Sequence, residues 1–179
     1  MKILKRIGFV LLFVLSMILI AGLFIKQDYT IAREITINKP NDSIFDYIKY
    51  LKNQDNYSVW NRKDPKSIKN YSGQDASVGF QSSWDSQDPN IGAGTQEIVK
   101  IVDNKRLDME IRFKRPMTSI ATAFMQTDKI SDTKTKVIWS FSGKFDYPVN
   151  AIMPIIGVKK MLGNDMQKSL DDLKVLLEK

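Results

Sequence analysis

Residues 106–114 read RLDMEIRFK and residues 136–145 read KVIWSFSGKF, and the period of these two stretches decides the fold. In the first, Leu107, Met109, Ile111 and Phe113 alternate with Asp108, Glu110, Arg112 and Lys114, the period-two signature of a half-buried antiparallel strand. In the second, Val137, Trp139, Phe141 and Phe145 share a face opposite Lys136, Ile138, Ser140, Ser142 and Lys144. The period then changes, and Met166, Leu170, Leu173 and Leu177 fall on one stripe of a helix. Alternating strands that run into one amphipathic helix predict a curved sheet closed on that helix, with room for a cavity between the two layers.

Further strands are predicted upstream at 30–37, 67–71, 77–84, 95–102 and 120–129. After the first of them, Asn38-Lys39-Pro40-Asn41 breaks the chain and caps a helix carrying Ile44, Phe45, Ile48 and Leu51 on one face, with Asn41 in the capping role. A second short helix over 55–60 must end before Asp64-Pro65, because the residue before proline avoids the helical region. The order is therefore one strand, two helices, six strands and one helix. Within 95–102 the pattern conflicts: Glu97 shares parity with Val99 and Ile101 but opposes Ile98 and Val102, so the inward side of that strand stays open.

Ahead of these elements lies Ile7 to Ile25, a run without a charged residue in which fourteen positions are Leu, Ile, Phe or Val. Each such residue favours insertion by roughly 0.3 to 0.6 kcal/mol near the bilayer centre. The run is long enough to cross a hydrocarbon core of roughly 30 Å. Lys2, Lys5 and Arg6 precede it and Lys26 follows, which places the N-terminus in the cytoplasm and the rest of the chain outside. A cleaved signal peptide, giving a secreted product, is the alternative, although the apolar run exceeds a signal's usual length. The expected organisation is an anchor over 1–27 and one domain over 28–179.

Composition excludes much chemistry. The chain has no Cys and no His, so disulfides, thiolate nucleophiles, imidazole acid–base catalysis and ordinary zinc sites are absent by inventory, and no metal or cofactor is expected. The net charge of +7 shrinks when it is located. Setting Lys2, Lys5, Arg6 and Lys26 aside from the 27 basic residues leaves 23 against 20 acidic ones, with no dense basic run, which argues against nucleic acid as a partner.

A family resemblance rests on Ile35-Thr36-Ile37-Asn38-Lys39-Pro40 leading to Ile44-Phe45-Asp46-Tyr47-Ile48, and on Trp60 with Asp64-Pro65. Gly92-Ala93-Gly94, Phe113-Lys114-Arg115-Pro116, Thr135-Lys136-Val137-Ile138-Trp139-Ser140 and Met161-Leu162-Gly163-Asn164-Asp165 continue it, through Leu170 and Leu173-Lys174. In order and spacing these resemble the START and polyketide-cyclase-like (SRPBCC) superfamily, and in particular its membrane-anchored bacterial members. The resemblance implies an α+β helix-grip fold: a seven-stranded antiparallel curved sheet around a long C-terminal helix, with a lipophilic cavity between. It implies no particular substrate, since function resides in sites rather than folds.

The expected cavity lining is Phe80, Trp84, Phe113, Phe124, Trp139 and Phe141 from strands, Phe45 and Trp60 from the first helices, and Met166 and Leu170 from the last. The same residues would serve as an ordinary core. If a ligand buried roughly 300 Å² of apolar surface, the gross gain would be roughly 7 kcal/mol, of which association entropy removes at least about 4 kcal/mol. A tight ligand therefore needs a polar anchor. Arg33, Glu97 and the hydroxyls of Tyr47, Tyr57 and Tyr71 are the groups weighed for that role or for acid–base chemistry, while Asp64, Asp85 and Asp88 read as turn residues. The apolar stretch 151–158, broken by Pro154 and Gly157 and followed by Lys159 and Lys160, reads as a flap over the cavity, as a bilayer contact, or as a kinked first turn of the last helix. Three functional readings follow: non-catalytic binding of a lipophilic small molecule or lipid, a cyclase- or hydrolase-type enzyme using the same cavity, and a protein-interaction module with a filled core.

Overall fold

The alternating stretches form one antiparallel sheet in a computed structural model that describes residues 2–179. Along the chain the elements are α1 (Lys2–Gly22), β1 (Asp28–Ile37), α2 (Asn41–Ile48), α3 (Gln54–Tyr57) and α4 (Val59–Lys63). They continue as β2 (Ile68–Ser72), β3 (Gln81–Asp85), β4 (Ala93–Val102), β5 (Arg106–Arg115), β6 (Ser119–Ser131), β7 (Lys134–Lys144), α5 (Val149–Ile152) and α6 (Val158–Leu177). The strand order β1-β7-β6-β5-β4-β3-β2 makes every neighbouring pair except β1–β7 consecutive in sequence, and the first strand closes onto the last. The result is an α+β helix-grip fold, with α6 lying across the sheet.

One face of each long strand supplies the core. Leu107, Met109, Met125 and Val137 from the sheet meet Ile44, Phe45 and Ile48 of α2 and Met166, Leu170 and Leu173 of α6, all buried. The helical stripe read from the sequence is the face of α6 that grips the sheet. Ser169, on the same face, accepts a hydrogen bond from the backbone N–H of Val59 at 2.9 Å. That bond explains a difference from the expected helix at 55–60. Ser58 is extended, and the chain makes two short helices, α3 and α4, because the first free N–H of α4 finds its partner on α6 rather than in the preceding turn.

One other local expectation is corrected, and two points left open by the sequence are decided. Pro40, not Asn41, precedes the first turn of α2, and no side chain caps it. The Asn41 amide instead donates to the carbonyl of Asn104 at 2.7 Å, tying α2 to the β4–β5 turn. The ambiguity on β4 is resolved by a bulge. Ile98 pairs with Met109 and Lys100 with Asp108, so Val99 is the extra residue and the parity flips there. Ile98 and Ile101 both pack on the core, and Val99 and Val102 are exposed. Arg33 lies on the β1 face beneath α6, where its guanidinium rests against Gly163 and donates to the Ala32 carbonyl at 2.7 Å. A side chain at 163 would take the space of that guanidinium.

Among the described residues α1 is the one helix long and apolar enough to cross a membrane. It ends at Gly22, three residues before the apolar run does.

Leu170→Ala is expected to destabilise the domain by about 2–5 kcal/mol, the cost of a cavity at a closed site. Val175→Ala, on the exposed side of α6, should change stability by less than about 0.5 kcal/mol. Tryptophan fluorescence during denaturation of the full chain separates the two, because α1 contains no Trp.

Candidate ligand cavity

The concave face of β6 carries Ala121 and Ala123 where other strands carry large side chains, and space opens above them. Between this face, α6 and the α3–α4 segment lies a cavity of about 230 Å³. A single water needs only about 10–15 Å³ of such space, so this is more than a packing defect. All three tryptophans of the chain line it: Trp60 from α4, Trp84 from β3 and Trp139 from β7. Trp60 and Trp139 meet edge to face at 5.7 Å, and Trp84 meets Phe113 in the same way at 5.8 Å, so the walls are braced by aromatic contacts. The Trp84 indole N–H donates to the Ile91 carbonyl at 3.2 Å, leaving its ring as apolar wall.

Six of the ten residues expected at the cavity line it: Trp60, Trp84, Phe113, Trp139, Phe141 and Met166. Phe45, Phe80 and Leu170 are fully buried in the core and do not reach the cavity surface. Phe124 is on the opposite, convex face, where the Arg106 guanidinium covers its ring at 3.7 Å. Parity explains it: Ala123 and Met125 point inward, so the residue between them points out. Among the methionines, Met166 lines the cavity, Met125 is core, and Met117 and Met161 are exposed.

Sequence reasoning missed the polar wall. Gln54, Ser58, Asn61, Ser67, Lys69 and Gln96 reach the cavity: two lie in loops, three in the short elements α3, α4 and β2, where no period marks an inward side, and Gln96 in β4, whose period the bulge breaks. Lys69 is the one charged lining residue, and its ammonium is engaged by Asp55 at 2.6 Å. Asp55 also accepts from Asn61 at 2.7 Å and from the Tyr71 hydroxyl at 3.3 Å. Gln54 and Gln96 direct their amides at the Met109 sulfur, at 3.9 and 2.8 Å, and a thioether is a weak acceptor. The Ser67 hydroxyl is buried without a hydrogen-bond partner. Gly94 has a packing role that sequence reasoning did not assign it. A Cβ there would come within 2.5 Å of the Trp84 ring and 2.7 Å of the Arg112 carbonyl, so glycine is what lets Trp84 form the wall.

The groups weighed for acid–base roles stand elsewhere. Glu97 is on the convex face, hydrogen-bonded by Arg112 and by Gln81 at 3.0 Å, and the Arg112 contact holds its carboxyl below the usual range. Tyr57 is completely buried, its hydroxyl against the Met125 sulfur at 3.5 Å, and burial pushes its ionisation up. Tyr47 accepts from Asn56, and Tyr71 is bound to Asp55. Asp64 and Asp88 accept backbone N–H groups in turns, and Asp85 pairs with Arg115. No carboxylate or tyrosine lines the cavity, and no metal-holding cluster occurs among the described residues.

Solved structures share this architecture at low sequence identity. A protein from Mesorhizobium loti aligns with a TM-score of 0.59 and 14% identity over 84% of this chain and 97% of its own. One from Nitrosospira multiformis gives 0.58 and 14% over 82% and 94%. Ara h 8.0201 gives 0.51 and 13% over 82% and 98%. These similarities define the class as the helix-grip fold. No family model matches the chain, and no curated protein matches it.

Two outcomes are expected. Gly94→Val should tilt Trp84 out of the wall, lowering stability by about 1–3 kcal/mol through overpacking and altering tryptophan emission. Stability should be level from about pH 5.5 to 8.5, since no histidine or cysteine side chain titrates there. It should fall below about pH 4. Arg112 holds Glu97 low. Burial would raise Asp172, but bonds from Lys168 and Arg62 outweigh it, and the Asn38 N–H lowers Glu178. Carboxyls depressed in the folded state lend stability that is present above their ordinary pKa and lost as pH falls through the depressed values. Thermal melts across pH 2.5–9 test this.

Proposed function

We propose that this chain is a membrane-anchored, extracytoplasmic domain that binds a small lipophilic molecule in its cavity without carrying out chemistry. The observation that carries the reading is the cavity itself: about 230 Å³, walled by all three tryptophans, with a few polar groups among its lining. A guest with an apolar body and one hydrogen-bonding end suits such walls. Ser67 and the two glutamine amides offer it bonds that the protein leaves unmade or weakly made. The volume lies below the ~300–1,000 Å³ of drug-sized sites, so a single acyl or isoprenoid segment or a small aromatic compound suits it better than a two-chain phospholipid.

Catalysis is disfavoured because the one ionisable lining group, Lys69, is already held by Asp55. A filled-core interaction module is disfavoured by the open volume. The charge asymmetry around Ile7 to Ile25 supports residues 1–27 as the anchor, with the N-terminus cytoplasmic and residues 28–179 outside.

The test is native mass spectrometry of the full chain released gently from membranes, with organic extraction of whatever it carries. A stoichiometric lipophilic adduct is expected, and it should be lost in Ala123→Trp, which fills the cavity from its floor. A chain that remains apo after incubation with a membrane lipid extract would overturn the binding reading.

A further inference from the structure

We infer that the segment from Ile152 to Met161 is a bilayer-docking surface, seated in the outer membrane–water interface beside the end of α1. The inference rests on the spanning of the membrane by α1 proposed above. It begins with a length. The uncharged part of α1, Ile7 to Gly22, is sixteen residues long, about 24 Å at ~1.5 Å per residue. A hydrocarbon core is roughly 30 Å thick. With Arg6 at the inner headgroups, Gly22 lies short of the outer headgroups, at a depth where apolar groups are still required.

What is fixed to Gly22 is therefore fixed at that depth. The Asn150 amide donates to the carbonyls of Gly22 at 2.7 Å and Ile25 at 3.0 Å, satisfying acceptors that a helix end otherwise leaves bare. Gly22 packs so closely on α5 that a Cβ on it would come within 2.7 Å of the Ala151 Cβ. The end of the helix and α5 are thus one packed unit.

The surface beside this joint is apolar and uncovered. Phe24 is 84% exposed, and beyond α5 Ile155 is 66%, Ile156 55% and Met161 62% exposed. On a face meeting water these would form a costly patch. Polar groups of the kind that sit at an interface border it: Tyr147 is exposed, and Lys26, Lys159 and Lys160 make no ion pair among the described residues. Leu162, next to Met161, lines the cavity, so one turn of α6 touches both the lipid surface and the ligand space.

The natural absence of cysteine allows single cysteines to be spin-labelled in the full chain, reconstituted in phosphatidylcholine–phosphatidylglycerol vesicles. Labels replacing Ile155, Ile156 and Met161 are expected to show several-fold higher oxygen-to-nickel accessibility ratios than labels at Ile130 and Val175, which are exposed elsewhere. Labels at Phe9 and Val14 report the anchor separately. If those are in lipid while the label at 155 reads as water, the docking inference fails and the anchor stands. If all read as water, the anchor reading fails and the inference with it. A label at 155 shielded from both reagents would indicate a protein cover, a second copy or another chain, and would overturn the lipid assignment. Asn150→Asp should raise nickel access at 155 while leaving the tryptophan emission of the cavity unchanged.

Discussion

The mismatch between a wide sheet and a single covering helix governs this structure. Seven strands spaced about 4.8 Å apart span nearly 29 Å between the outermost pair, and one α-helix with its side chains is about 10–12 Å across. α6 grips the β1 side, and α2 meets β6 and β7. The concave surface toward β2, β3 and β4 has no regular element of its own to cover it. The short α3 and α4 are drawn partly over it by Ser169, and what they leave uncovered is the cavity. Aromatic walls follow from the same mismatch, because only large rings reach far enough across the gap to brace one another.

Regular periods carried most of the fold in the sequence, and each failure has a local cause. Strands of constant parity, such as β5 and β7, read correctly because both faces keep their identity along the whole strand. β4 did not, because the bulge at Val99 turns one residue into two faces' worth of pattern. Phe124 was misplaced for a different reason: two of the inward positions of β6 beside the cavity are alanines, Ala121 and Ala123, so hydrophobic size, a good guide where a core is filled, points the wrong way where it is left open. The polar wall was illegible for a third. Ser67, Asn61 and Gln54 come from loops and single turns, and which way they face is decided by tertiary contacts rather than by any repeat.

The distribution of charge fits a binding cavity better than a reacting one. Glu97, Glu110 and Arg112 hold one another on the convex face, and the cavity keeps only Lys69, tied to Asp55. Groups that could move a proton are thus either on the far side of the sheet or already committed to a partner. Tyr29, whose hydroxyl is pushed up to about 12 by burial, stacks on Phe145 at 4.4 Å and acts as a packing ring. An interior of this kind would discriminate guests by shape and by one or two hydrogen bonds.

The connection between α1 and β1 is five residues, Leu23 to Gln27. Even fully stretched it would allow about 17 Å of travel, and Asn150 fastens its first half. With α1 in a bilayer, as proposed above, this domain would have no reach: it could not swing far from the membrane surface. On that reading it would be a fixed station, and whatever exchanged a guest with its cavity would have to come to the membrane surface to do so.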